Sequence, residues 1–252
     1  MPTLFIGHNT IRLPIVDSTN TIAQDLVKQG KALEGTIVRA DDQRLGRGQR
    51  GSIWLSEPGK NLTFSLVLFP KDLFPEQQFV LTQLVSLALR DFVASQIKDA
   101  EKVKIKWPND IYVGNKKIAG VLIENSWRGN EIGASIIGIG ININQEVFAT
   151  DSACSLKQLI GAELDLDNCF LELCSYLERR YLQFINNQSQ TLRSEYHKNL
   201  FQLQQVFTYE ISEKKVQAKI IGVSNEGKLQ LSIISNFQVL ELGLKEVKFI
   251  VD

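Results

Sequence analysis

Apolar residues recur at helical spacing in several stretches of the chain. Ile22, Ala23 and Leu26 follow Ser18-Thr19-Asn20, whose hydroxyl and amide groups suit a helix cap, and Gly30 supplies a stop. The pattern predicts a helix over about 20–29. Leu81, Val85, Ala88 and Phe92 share one face of residues 76–97 with further apolar residues beside them, which predicts a largely buried helix. Ser155-Leu156-Lys157-Gln158 has capping-box form ahead of a short helix. Phe170, Leu173, Cys174, Leu177, Tyr181 and Phe184 mark a longer amphipathic helix, and another is expected over about 190–203.

Elsewhere the period is two. Residues 35–40 and 61–69 read as strands, the second ended by Pro70. Lys102, Lys104 and Lys106 alternate with Val103, Ile105 and Trp107, which puts ammonium groups on one strand face and apolar groups on the other. Gly114-Asn115 and Gly129-Asn130 interrupt β-rich sequence, so residues 111–143 are expected to form a meander of three antiparallel strands. From Val206 onward helical periodicity stops, while Leu229, Leu231 and Ile233 alternate, as do Val247, Phe249 and Val251. This predicts an α+β chain divided into a larger part, 1–204, and a small all-β module, 205–252.

Composition narrows the function classes. Lys plus Arg (28) equals Asp plus Glu (28), so no global positive field holds a polyanion or an anionic membrane surface, and neither nucleic acid nor membrane is an expected partner. No apolar run approaches the roughly 18 residues of a membrane span, and no basic leader precedes an apolar segment. A cytoplasmic protein is expected. Cys154, Cys169 and Cys174 contain no C-x-x-C pair and read as free, buried or semi-buried thiols. His8 and His197 are the only histidines, which leaves little basis for a histidine zinc site or a Ser-His-Asp triad.

The chemistry concentrates in Gly46-Arg47-Gly48-Gln49-Arg50-Gly51. Gly46-x-Gly48-x-x-Gly51 has the form of the dinucleotide fingerprint, which requires a strand leading in and a helix opening at the third glycine. Here Asp42-Gln43-Arg44 precedes and Ser52-Ile53-Trp54-Leu55-Ser56-Glu57-Pro58-Gly59 follows, with β-formers and a Pro-Gly turn where that helix should start. A nicotinamide site is not expected. Glycines let backbone N–H groups approach phosphate oxygens, and guanidinium groups bind phosphate or carboxylate bidentately, so the loop with Arg44, Arg47 and Arg50 reads as an anion cradle. The bland alternative is a solvated loop with Trp54 as core packing. A second constellation, Lys106-Trp107-Pro108-Asn109-Asp110 followed by Lys116-Lys117-Ile118-Ala119-Gly120, places short polar side chains at a turn able to meet a ligand or a magnesium ion, with Lys117 brought near if the hairpin folds back. Each piece alone has a structural reading: Asp110 as a turn cap, Lys116 and Lys117 as a solvated charge pair.

Together, Ser18-Thr19-Asn20, Gln43, the glycine and arginine loop with Trp54, Lys106 to Asp110, Lys117 to Gly120, and Gly138-Ile139-Gly140-Ile141-Asn142-Ile143-Asn144 closely resemble the catalytic domain of biotin protein ligases, from about residue 15 to the end of the chain. The resemblance implies a mixed, mainly antiparallel β-sheet flanked by helices, of the class II synthetase-like biotin/lipoate ligase fold, with a C-terminal SH3-like β barrel. It implies joining of biotin to ATP as biotinyl-5′-adenylate, then transfer to one lysine of a biotin carboxyl carrier domain of acetyl-CoA carboxylase or a related carboxylase. Ser18, Thr19, Asn20 and Gln43 would line the biotin pocket, with Gly46, Arg47, Gly48, Gln49, Lys117 and Gly120. Arg47, Arg50, Trp54, Asn109, Asp110, Lys117 and Asn142 would meet ATP or the adenylate, with Lys117, Arg47 and Arg50 as the catalytic cations. Magnesium would arrive on the ATP phosphates, with Asp110 as a candidate ligand, and no tightly bound prosthetic group is implied.

Gln49 departs from the family pattern, where arginine often stands. Only 17 residues precede Ser18, too few for the winged helix of family members that bind an operator, so no repressor activity is expected. Family members often pair through the central sheet, which leaves monomer and homodimer both open. Two rivals stand beside this reading: a lipoate or octanoate protein ligase or transferase, and a biotin-binding regulatory module that works by protein contact.

Overall fold

The structure, a computed structural model, describes residues 3–250. A seven-stranded sheet forms the larger part, in the order β1-β2-β3-β7-β6-β5-β4. Its strands are β1 (Thr10–Val16), β2 (Ile37–Gln43), β3 (Leu62–Leu68), β4 (Val103–Lys106), β5 (Asp110–Val113), β6 (Lys116–Arg128) and β7 (Glu131–Ile141). All neighbours run antiparallel except β1 and β2. The helices are α1 (Thr19–Lys28), α2 (Phe79–Gln96), α3 (Leu156–Ile160), α4 (Leu166–Ile185) and α5 (Ser189–Lys198). A second, five-stranded antiparallel sheet closes the chain in the order β11-β10-β9-β8-β12: β8 (Val206–Ile211), β9 (Lys214–Val223), β10 (Leu229–Ile233), β11 (Val239–Leu242) and β12 (Val247–Phe249). The α+β class, the flanked mixed sheet and the SH3-like C-terminal module all stand as the sequence predicts.

Alternation along the strands decides which face carries what. In β3, Leu62, Phe64, Leu66 and Leu68 enter the main core with α2 and α4, whereas Val67 joins Ala23 of α1, Val38 and Ile136 in a smaller cluster on the other face. In β7, Ile137, Ile139 and Ile141 point into the main core, and the residues between them are Ile136, Gly138 and Gly140. The sheet is thus packed solidly on one side. On the other it is covered by α1 at one end and left concave where the glycines stand.

Three elements differ from the sequence pattern. The edge strand β1 was not predicted, because Pro14 interrupts its alternation; proline is tolerated there since the strand pairs on one side only. Helix α5 ends at Lys198 rather than near 203, because Asn199 closes it and the chain then bonds to β4 through Ile105 N–H to Asn199 O at 2.8 Å and Phe201 N–H to Ile105 O at 2.8 Å. Ser18 sits at the N-cap of α1, but its side chain makes no cap hydrogen bond.

Glu178, buried in α4, accepts hydrogen bonds from the backbone N–H groups of Leu4 (2.5 Å), Phe5 (2.8 Å) and Ile6 (3.0 Å). It satisfies the buried N–H of Ile6 and the partly buried N–H groups of Leu4 and Phe5. Glu178→Ala should cost about 2 kcal/mol, since stranded buried donors carry their full desolvation penalty. Chemical denaturation and hydrogen exchange at residues 4–6 check this, and unchanged protection there would exclude the role.

Candidate functional site

The register of the large sheet aligns one row of short or polar residues across the concave face. Ala40 pairs with Thr63, Thr63 with Gly140, Gly140 with Gly120, Gly120 with Asp110 and Asp110 with Lys106. The parallel row, two residues along, runs Val38, Ser65, Gly138 and Leu122. Thr63, Gly140, Gly120, Asp110 and Lys106 of the first row and Gly138 and Leu122 of the second floor a cavity of about 450 Å³, whose lining also includes Ser18, Thr19, Asn20, Gln43, Arg47, Gly48, Gln49, Trp54, Asn109 and Lys117. Most of the residues singled out in sequence converge here. The glycines are needed for space: a Cβ on Gly138 would lie 2.5 Å from Asn20 Oδ1, and one on Gly140 would lie 2.3 Å from the Trp54 ring.

One end of the cavity is rich in neutral hydrogen-bonding groups, with the Arg47–Glu124 ion pair beside them. Gln43 Oε1 accepts from Thr19 N–H at 2.9 Å and from the Thr19 hydroxyl at 3.1 Å, which orients the Gln43 amide and turns its Nε2 the other way. Ser65 Oγ lies 2.7 Å from Thr19 Oγ1 and 2.5 Å from Asn20 Oδ1, and its single proton serves one of them at a time. Asn20 Nδ2 donates to Glu124 at 2.7 Å, and Arg47 pairs with the same Glu124 oxygen at 3.2 Å. Ser18, buried and free of any capping duty, adds a hydroxyl to the lining.

The other end is cationic. Lys117 Nζ forms an ion pair with Asp110 at 2.7 Å and lies 5.7 Å from the centre of the Trp54 ring. Its backbone is fixed from outside the hairpin: Lys117 N–H donates to Ser152 O at 2.8 Å, and Cys154 N–H donates to Lys117 O at 2.9 Å. The Trp107-Pro108 turn, with a cis peptide, carries Asn109 and Asp110 and is tied to two other elements. Trp107 Nε1 donates to Gly227 O of the small module at 2.9 Å, and Tyr196 of α5 donates to Pro108 O at 2.7 Å. Burial first, then the Asp110 charge, pushes the Tyr112 phenol up to about 12.

The glycine and arginine loop forms a closed hairpin. Trp54 N–H donates to Gly46 O at 2.9 Å, Gly48 N–H to Ser52 O at 2.7 Å, and a short 3-10 turn covers Gln49–Gly51. Gly51 has φ of +77° and is followed by extended chain rather than a helix, so the dinucleotide geometry is absent. The Trp54 indole nitrogen is buried without a hydrogen-bond partner.

Three anticipated site residues stand apart. Gly46 is not in the lining; a Cβ there would meet Trp54 O at 2.4 Å and Gln43 Nε2 at 2.7 Å, so it clears space for two residues that are. Asn142 also lies outside the lining, with its buried amide donating to Cys154 O at 3.0 Å. The side chain of Arg50 lies outside the described residues. Asn109 is in the lining, yet its amide is committed to Val121 O. For magnesium, no group of three or more His, Cys, Asp or Glu able to hold a metal occurs among the described residues, and Asp110 is already paired with Lys117.

Sequence patterns gave no signal for Thr63, Ser65 and Glu124, or for Leu244, Val247, Lys248 and Phe249, which bring the small module to the cavity wall. The cysteines are free, and burial pushes the thiols of Cys154 and Cys169 up to about 11 and that of Cys174 to about 12, so none is poised as a nucleophile.

Both fold and cavity define a particular class. The chain belongs to the biotin/lipoate A/B protein ligase family, whose model matches residues 13–142. It is similar to the bifunctional ligase/repressor BirA of Bacillus subtilis (strain 168), with 33% identity over 194 residues, covering 74% of this chain and 58% of that protein. A protein of Paracoccus denitrificans named as a biotin ligase for acetyl-CoA carboxylase is 38% identical over 130 residues, covering 50% of this chain and 51% of that one. The chain thus spans 58% and 51% of the length of these two relatives. Among solved structures, a biotin protein ligase from Aquifex aeolicus in complex with biotin and ATP matches with a TM-score of 0.73 and 28% identity, over 96% of this chain and 100% of that one. Among the described residues, no helix is long and apolar enough to cross a membrane.

Proposed function

We propose that the chain is an ATP-dependent biotin protein ligase, which forms biotinyl-5′-adenylate and then transfers biotin to a lysine of a biotin carboxyl carrier domain in the cytoplasm. The observation that carries this reading is one cavity with an end rich in neutral hydrogen-bonding groups and a cationic end on a glycine floor. A cyclic urea offers one acceptor and two N–H donors, and Gln43, Thr19 and Ser18 offer neutral groups of both kinds. Across the floor, Lys117 sits where an acid carboxylate and a phosphate would meet. In the first step a biotin carboxylate oxygen attacks the α-phosphorus and pyrophosphate leaves. Lys117 and Arg47 would draw these anions together, and preorganised donors of this kind are typically worth about 3 kcal/mol. In the second step the carrier lysine amine attacks the acyl carbon, an amide forms and AMP departs. No enzyme nucleophile is required, which fits the raised thiols. The chain is read as a catalytic domain, 1–204, with a barrel, 205–252, and neither DNA nor membrane is needed for the reaction.

Biotin-dependent exchange of pyrophosphate into ATP tests the reading. Exchange with biotin and none with lipoate is expected; the reverse would make it a lipoate ligase, and biotin binding without exchange would make it a regulatory module. Gln49 adds a second check. Gln49→Arg should slow adenylate release by roughly tenfold, since a charge-assisted hydrogen bond typically adds about 1.5 to 3 kcal/mol over none. Unchanged or faster release, followed with labelled adenylate, would remove Gln49 from that role.

A further inference from the structure

A second cavity, of about 910 Å³, lies among α2, α4 and α5 and shares no lining residue with the one described above. The segment leaving β3, the first turns of α2, the end of α4, α5 and the β9–β10 turn all contribute to its wall. Val80 and Gln83 of α2 are three residues apart and so share one helix face, which looks into this cavity. Gln83 is only 5% exposed, and its amide has no hydrogen-bond partner among the described residues. Neither amide atom is among the sealed polar atoms, so both open on the cavity. A buried amide that the protein leaves unpaired carries its desolvation cost until a molecule in the cavity bonds it.

The charges in the wall favour one sign. Glu34, Asp72, Glu76 and Glu226 line the cavity against Lys71 and Arg193, four carboxylates to two cations, and none of the six is in an ion pair among the described residues. Arg193 is turned to neutral acceptors, Asn225 Oδ1 and, at 3.5 Å, Val223 O, and Lys71 is exposed. Glu34 is the half-buried member of the carboxylate set. Phe69 N–H donates to both of its oxygens at 3.2 Å. Burial raises the Glu34 pKa, opposed by that N–H, by the Tyr181 phenol and by the charge of Lys71. A partly buried carboxylate with no cation beside it is stabilised by an ammonium group brought to it. The rings of Tyr181 and Phe184 stand in the same wall, stacked with centres 6.0 Å apart, and aromatic faces attract organic cations rather than anions.

We propose that this cavity is a binding site for an organic ammonium ion on an apolar chain, with Glu34 as the counter-ion, Gln83 offering its amide to the ligand, and Tyr181 and Phe184 packing against the chain. Biotin and ATP are both anions and do not match that charge. The site therefore takes a third molecule, and it stands apart from the ligase reading.

The probe is hexylammonium, with hexanoate and hexanol as matched controls, titrated into the full-length, isotope-labelled protein and followed by NMR. Hexylammonium is expected to shift the Gln83 side-chain amide and the Phe69 backbone amide, with hexanoate and hexanol at least about fivefold weaker. Glu34→Gln keeps an acceptor for Phe69 N–H, and should weaken hexylammonium about fivefold or more while leaving hexanol within about twofold. Gln83→Leu should weaken hexylammonium about threefold yet leave the melting temperature equal or higher, since it removes a polar group without a protein partner. Absence of hexylammonium shifts at the cavity, hexanoate binding as tightly as hexylammonium, undiminished binding by Glu34→Gln, or a lowered melting temperature in Gln83→Leu would each overturn the proposal. If Glu34→Gln does not fold, the comparison of ammonium with carboxylate on the native protein decides it alone.

Discussion

Lys117→Met is expected to lower biotin-dependent pyrophosphate exchange by about 100- to 1,000-fold while leaving the fold intact, the usual loss when a preorganised donor to developing charge is removed. Lys117 is held by its backbone on both sides, through Ser152 and Cys154, so its position does not depend on a ligand. Its side chain lies on the surface of the floor, at Gly120: a Cβ on that glycine would lie 3.1 Å from Lys117 Nζ and 3.2 Å from Asp110 Oδ1. Removing the ammonium leaves the Asp110 carboxylate facing an incoming polyphosphate without its partner, so loss of attraction and gain of repulsion act in the same direction. The double variant Lys117→Met with Asp110→Asn separates them, and should recover part of the loss. A single variant that exchanges pyrophosphate within about threefold of the native rate would remove Lys117 from the chemistry.

Gly140→Val should reduce exchange by about 100-fold, the scale expected when reacting groups are displaced by about 1 Å. The glycine has Thr63 on one side and Gly120 on the other in the floor row, and the Trp54 ring lies directly over it. Any side chain there must displace the ring or fill the space a ligand needs. The neighbours Ile139 and Ile141 point the other way into the main core, so the damage should stay local. Thermal melting with and without ATP plus biotin checks this: the native protein should be stabilised by ligand through mass action and the variant should not. A ligand-induced shift equal to that of the native protein would show that the floor does not need this glycine.

Much of this fold was legible because its elements declare themselves locally. Gly114-Asn115 and Gly129-Asn130 mark the turns of the 111–143 meander, and the structure pairs β5 with β6 and β6 with β7 as antiparallel neighbours. Capping chemistry located α3, where Ser155 accepts from Gln158 N–H at 3.2 Å. For Ser18-Thr19-Asn20, helical periodicity marked the helix correctly, but the polar groups that looked like caps are spent on the cavity: Thr19 on Gln43, Asn20 on Glu124 and Ser65. The rest was hidden because it depends on register. That Thr63, Gly140, Gly120, Asp110 and Lys106 fall in one row is set by pairing between strands far apart in sequence, and a shift of one residue would have turned every one of them to the other face. Glu124 and Phe249 were missed for the same reason. Nothing in the sequence around them marks Glu124 as the partner of Asn20 and Arg47 or Phe249 as part of the cavity wall.

The central claim is that one cavity carries both halves of the reaction, and the most direct measurement is biotin transfer to a purified biotin carboxyl carrier domain, read by avidin blot with ATP and biotin supplied. Labelling of the carrier that requires ATP and biotin, disappears when the carrier's acceptor lysine is replaced, and is restored to Lys117→Met by supplied biotinyl-5′-adenylate is the result expected. No labelling of the carrier by the native protein, with either ATP and biotin or ready-made adenylate, would contradict it.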